Sequence, residues 1–355
     1  MRSVLFVLWM TSSLISAAQD CTPEALLKRP GVWKAGMSGS IHGISPKDLV
    51  RERATLASIH KMIQAKSKPE GCQFLYTNAF TGFMPGTGKN WIADFYDYTI
   101  YVLPYLCDPA SSDKTKSYTA IATATILNIN VNILSSLSAM YAAELPDDEF
   151  RGYLKLATRP VWNDGYFLMS DRVTDAYDPK HISKETSILI TYNDTLPFSY
   201  LSRKEYLALT KKRLEKTIHD NSSSKEYYNK YMNAINSWLQ KPETELSKAA
   251  VCMWNDEEQF TGFVEEGTKG SFLAVKPNPA YYRKGLPRST PQFINVLFRV
   301  TEGYPVMTIN MDSIRKAVDL AALRNMLGVA PKPEVIQGKP VKQLNSKPQK
   351  AGHAN

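Results

Sequence analysis

Leu127-Asn128-Ile129-Asn130-Val131-Asn132-Ile133 is the stretch that decides the fold class. Apolar residues at 127, 129, 131 and 133 alternate with asparagines at 128, 130 and 132. Successive side chains on an extended chain point to opposite faces, whereas a helix would scatter these residues around its axis. The stretch therefore predicts a strand with one apolar face and one amide face. Tyr96, Tyr98, Tyr101 and Tyr105 stand in the segment just upstream. Amides beside aromatic rings meet sugars or extended peptides through paired hydrogen bonds and stacking. Asn128, Asn130 and Asn132 are accordingly the candidate ligand-binding residues, with a glycan or peptide as partner. The competing reading is a plain exposed strand face, or amides paired with a neighbouring strand.

Outward from this strand the period of two continues. Residues 73–79 and 94–106 read as aromatic-rich strands around a turn region holding Gly82, Pro85, Gly86 and Gly88. Residues 153–158, 166–170 and 187–192 are shorter strand candidates. Short turns without helical crossovers favour antiparallel pairing. Upstream, residues 31–43 form a Gly/Ser-rich lead-in to a helix capped by Ser45, with Pro46 at its first position. Leu49, Leu56, Ile59 and Ile63 are its apolar face, and Arg51, Glu52 and Lys61 its wet one. Downstream, Ser202 and Glu205 make a capping box that opens a helix to about residue 219. Tyr228, Tyr231, Met232, Ile235 and Trp238 or Leu239 mark a second helix, and Pro242 begins a third, through about residue 251. Residues 259–264 and 271–275 read as a hairpin, residues 293–300 as a strand, and Asn310 as the cap of a last helix. The expectation is an α+β protein: mainly antiparallel sheet, a helical block, and a smaller C-terminal strand and helix portion. Its regions are 1–18, a signal peptide; 19–200, a helix plus antiparallel strands; 201–330, the helical block, strands and final helix; and 331–355, a disordered basic tail.

The first region has the layout of an export signal. Arg2 precedes an apolar run from Val4 to Met10, and Ser16-Ala17-Ala18 supplies the small residues of a cleavage site. No later window approaches the ~18 uninterrupted apolar residues of a membrane helix. The expected location is secreted or periplasmic, without a membrane span. The formal charge of +9 is concentrated at the ends, since the tail carries five lysines against Glu334 alone. The body holds interspersed acids and bases and no basic stripe, which excludes a nucleic-acid partner. Four cysteines in an oxidising compartment predict two disulfides. Cys72 opens one strand of the presumed hairpin and Cys107 closes the other, so the expected pairs are Cys72–Cys107 and Cys21–Cys252.

Catalytic motifs fail on inspection. Gly86-Thr87-Gly88-Lys89 lacks the earlier glycine and the Ser/Thr of a phosphate loop. Gly36-Met37-Ser38-Gly39-Ser40 ends in serine where a nucleophile elbow needs glycine. Asp171, Asp175, Asp178 and His181 have helical spacing, but Pro179 interrupts them, and no calcium-loop pattern is present. No metal and no cofactor are expected. The reading leans away from an enzyme and towards a non-catalytic envelope or extracellular binding protein. The alternative is a secreted hydrolase of envelope or environmental polymers whose acid and base groups meet only in the fold.

Three further stretches carry a resemblance. They are Gly31-Val32-Trp33-Lys34 with Ser58-Ile59-His60-Lys61-Met62-Ile63; Leu196-Pro197-Phe198 with Ser202-Arg203-Lys204-Glu205-Tyr206-Leu207; and Asn278-Pro279, Leu286-Pro287 and Pro291-Gln292-Phe293. The chain resembles in these places uncharacterised secreted proteins of Gram-negative environmental bacteria. The resemblance implies export and a bacterial origin. It implies no activity and no residue roles.

Overall fold

The computed structural model describes residues 21–39, 41–82, 93–134, 140–142, 153–175, 182–221, 223, 225–253 and 259–330. The first half runs α1 (Pro23–Leu27), β1 (Val32–Ala35), β2 (Ile41–His42), α2 (Pro46–Lys66), β3 (Cys72–Thr81), β4 (Phe95–Cys107), β5 (Ser117–Thr119) and β6 (Ile126–Val131). Next come β7 (Met140–Ala142), β8 (Leu154–Leu156), β9 (Val161–Asn163), β10 (Tyr166–Asp175), β11 (Ile182–Ile190) and β12 (Phe198–Tyr200). The remainder is α3 (Arg203–Asp220), α4 (Lys225–Leu239), α5 (Glu243–Leu246), β13 (Val251–Met253), β14 (Ser271–Pro277), β15 (Ile294–Thr301), α6 (Pro305–Ala317) and α7 (Leu320–Arg324).

The fold is α+β. A ten-stranded sheet follows the order β1-β3-β4-β6-β15-β11-β10-β9, with β2 beside β3 and β5 beside β4. The alternating stretch, as β6, is a central strand between β4 and β15. Its apolar residues Leu127, Ile129 and Val131 face the core under α2 and α6, with Ile59 and Ile63 of α2 and Met311 and Ile314 of α6. The other face of the sheet meets a five-stranded sheet, β12-β14-β8-β7 with β13 beside β14. Phe95, Phe167, Leu189 and Phe293 from the large sheet pack there against Leu154, Leu156, Leu273 and Val275 of the small one. The back of the small sheet buries Cys252, Phe272 and Ala274 against Tyr206, Leu207 and Leu214 of α3 and Tyr231 and Ile235 of α4. At this end the order of layers is helices, sheet, sheet, helices.

Locally encoded features appear where expected. Ser202 and Glu205 form the reciprocal capping box of α3, and Ser45 caps α2 by accepting from the Asp48 N–H at 3.1 Å. Long-range features required corrections. The lead-in holds two short strands, and both pair parallel with β3. Residues 259–264 are irregular; the hairpin partner of β14 is β13, in the stretch expected to end a third helix. Asn310 lies inside α6, where its amide donates to Glu70 O and Val306 O at 2.7 Å. Asp171 and Asp175 sit on a strand, β10. Asp178, His181, the Gly86–Lys89 loop, the signal region and the C-terminal tail lie outside the described residues.

The expected disulfides are also corrected: the bridge joins Cys21 and Cys107. The register of β3 and β4 sets Cys72 opposite Pro104, three residues short of Cys107. An odd offset sends the two side chains to opposite faces of the sheet. Cys72 enters the core, where burial pushes its thiol up to about 12. Cys252 is likewise a buried thiol, in hydrogen-bond contact with Tyr206.

Candidate functional site

The three asparagines of the amide face have three different settings. Asn128 is half-buried, and its amide donates to Thr99 Oγ1 at 2.5 Å. Thr99 in turn donates to Asp97 Oδ2 at 3.1 Å. Burial pushes the Asp97 carboxyl up to about 6, against the lowering effect of those hydrogen bonds. Asn130 is 4% exposed, and its amide nitrogen has no partner. Asn132 is fully buried, just past the end of β6, in the left-handed region at φ 63°. Its Nδ2 donates to Asp94 O at 3.0 Å and Thr290 O at 3.2 Å, and its Oδ1 accepts from the Gln292 N–H at 2.7 Å. Asn132 therefore fastens two backbone segments to the end of the strand. The backbone of Asp94 and of residues 290–293 closes over Asn132, and of the three asparagines Asn128 is the most accessible to solvent.

On the opposite face α2 delivers a side chain that the sequence reading placed in water. Glu52 is fully buried. Positions 49, 52, 56, 59 and 63 form one helical stripe, and Glu52 occupies its second place. That stripe was the available signal. Glu52 lies within hydrogen-bond reach of Asp94, itself 1% exposed, and among the described residues no donor meets either Glu52 oxygen or Asp94 Oδ2. Burial first, and the charge of Asp94 second, push Glu52 up to about 9. Arg288 Nε donates to Asp94 Oδ1 at 2.8 Å and favours its ionised form, while Arg288 Nη2 reaches Gly82 O at 2.7 Å. Burial raises the Asp94 carboxyl as well, against Arg288, so the pair favours keeping a proton between its two carboxyl groups. Glycoside hydrolysis needs carboxyl groups about 5–10 Å apart. This pair is too close for that and closed to solvent.

His60 is a partly buried histidine, with Nδ1 2.7 Å from the Tyr98 hydroxyl and its ring on Tyr76. Burial lowers its pKa, so it is neutral at pH 7. Among the described residues no three His, Cys, Asp or Glu side chains are grouped to hold a metal ion.

A separate concavity lies elsewhere. A cavity of about 730 Å³ opens between α1, the corner of β4 and β5, the loop after β5, and the first turn of α6. Leu26, Leu27, Pro104, Leu106, Ala122 and Val306 give its walls their apolar character. This volume is in the range of small-molecule sites. The walls come from stretches far apart in the chain, and three connections hold them. Cys21 and Cys107 tie α1 to the end of β4. Arg29 lies over the Tyr105 ring and donates to Ser117 Oγ at 2.6 Å. Gly71, at φ 67°, lets α1 come so close that a Cβ there would stand 2.9 Å from the Leu27 Cα. Sequence reasoning missed this site. Thr22-Pro23-Glu24 is a legible helix start, with Thr22 capping α1, but it says nothing about what that helix will face.

No protein-family model, no curated protein and no solved structure matches this chain.

Proposed function

We propose that this chain is an exported, non-catalytic binding protein, secreted or periplasmic, whose ligand sinks an apolar body into the cavity beside α1. The carrying observation is the cavity itself: about 730 Å³, with walls of proline, alanine and aliphatic side chains, braced by a disulfide. Apolar surface of this kind repays burial at roughly 25 cal/mol per Å² removed from water. The fitting ligand is an amphiphile or other apolar small molecule. The amide strand supports a glycan or peptide less well, because Asn130 and Asn132 face inward. The hydrolase reading draws on Glu52 and Asp94, but a substrate has no route to a pair exposed by 1% or less.

The test is displacement of an apolar fluorophore such as anilinonaphthalene sulfonate from the folded mature protein, together with mass spectrometry of organic extracts. Saturable binding that Ala122→Trp abolishes without lowering Tm supports the reading. Cys21→Ser, which frees α1 from β4, should weaken the same binding. Fluorophore uptake unaffected by Ala122→Trp would remove the cavity as the site. A mature N-terminus at Met1 would remove export.

A further inference from the structure

A second concavity, independent of the apolar cavity, lies at the β9 edge of the large sheet. It measures about 380 Å³ and is lined by Trp162, Gly165, Asn193, Asp194 and Arg324. The residues come from three places. Trp162 is the middle residue of β9. Gly165 is in the turn to β10, and Asp164 and Gly165 at φ 41° and 95° give that turn the left-handed pair that closes a two-residue hairpin. Asn193 and Asp194 belong to the loop after β11, where Asn193 also has a left-handed backbone, φ 54°. Arg324 ends α7.

The lining residues Trp162, Asn193, Asp194 and Arg324 are all exposed and placed for contact. Trp162 is 42% exposed, and its ring is steadied edge-on by Phe167 at 5.0 Å. The Arg324 guanidinium rests on the hairpin turn, so close that a Cβ at Gly165 would fall 2.3 Å from Nη1. Neither Arg324 nor Asp194 has a side-chain hydrogen bond or ion pair among the described residues. The cleft therefore presents an aromatic plane, a five-donor fork, an acceptor-only carboxylate and an amide that does both.

We propose that this cleft binds a pyranose ring of an oligosaccharide. The apolar face of a sugar ring stacks on an indole, and its vicinal hydroxyls, each both donor and acceptor, suit a mixed set of Arg, Asp and Asn. A peptide added as a strand would need a ladder, and β9, at three residues, is too short to supply one.

The experiment is isothermal titration of the full mature chain with cellohexaose, chitohexaose and hexagalacturonate, repeated with Trp162→Ala and Arg324→Ala. Both side chains are exposed, so Tm should stay within a few degrees of the parent. The expected result is binding of at least one probe with Kd below about 1 mM, weakened tenfold or more by Trp162→Ala and by Arg324→Ala. Binding by none of the three, or binding that survives Trp162→Ala unchanged, overturns the proposal. Either outcome leaves the cavity reading standing, since Ala122→Trp does not touch this cleft.

Discussion

Asn132 and Glu52 are both fully buried polar side chains, on opposite faces of one sheet, yet they settle their burial differently. Asn132 directs its amide to backbone groups of Asp94, Thr290 and Gln292, all neutral partners at every pH. Neither Glu52 oxygen accepts a hydrogen bond from a donor, and the Asp94 carboxyl within its reach becomes a partner only while a proton sits between them. The two sites share one strap. Arg288 binds Asp94, Ser289 binds Asp48 and accepts from Tyr96, and Thr290 and Gln292 bind Asn132. The contrast teaches that a buried amide makes an unconditional clamp, whereas a buried acid pair makes one conditional on pH. It also confines the dependence on pH to the Arg288 end of the strap, while residues 290–293 are held by Asn132 at every pH.

The largest expected effect is on the unconditional clamp. Asn132→Ala leaves two carbonyls and one N–H buried without partners, each costing about 1–3 kcal/mol. It also places a β-carbon residue without the asparagine's tolerance at φ 63°. Urea unfolding should show a loss of roughly 3–5 kcal/mol, equal at pH 6 and pH 8. A loss under 1 kcal/mol would mean that the strap closes without Asn132.

The conditional clamp should appear as a slope. Between the ordinary glutamate value of 4.5 and about 9, the folded state keeps a proton on Glu52 that the unfolded chain has released. Stability therefore falls as pH rises through that window, by at most about 1.4 kcal/mol per unit, and is flat with respect to this group below it. Asp97, pushed up to about 6, adds to the fall only below that value. Glu52→Gln keeps a donor facing Asp94 and has no proton to lose. Its unfolding free energy should be nearly level from pH 6.5 to 8.5, where the parent declines. Parallel curves for the two proteins would break the comparison.

The smallest effect tests the same amide face at its accessible end. Asn128→Ala removes one hydrogen bond, to Thr99, from a half-buried position and should cost about 1 kcal/mol or less. The Asp97 carboxyl should titrate higher in this variant, because Asn128 helps to hold it down. Carboxyl-carbon NMR titration reads that shift directly. A cost matching that of Asn132→Ala would make the three asparagines one structural set.

What the chain specifies through neighbours a few residues apart could be read without a structure. The alternation from 127 to 131 sets a strand because the period of a pleated chain is a local property, and the Ser202–Glu205 box closes within one helical turn. The class of the fold followed from these. Glu52 was half-legible: its place in the 49-52-56-59-63 stripe predicts burial, while its charge argues for water. Only Asp94, 42 residues later, and the proton they share resolve that conflict. The disulfide turned on a three-residue register difference between β3 and β4, which no composition rule contains. Likewise the cavity gathers residues 23–27, 104–106, 120–124 and 301–307, and the cleft gathers 162–165, 193–194 and 324. Secondary structure here was written in short-range periodicity and caps. Bridge, proton and both concavities were decided by the tertiary structure, because each depends on which distant surfaces packing brings within a few ångströms.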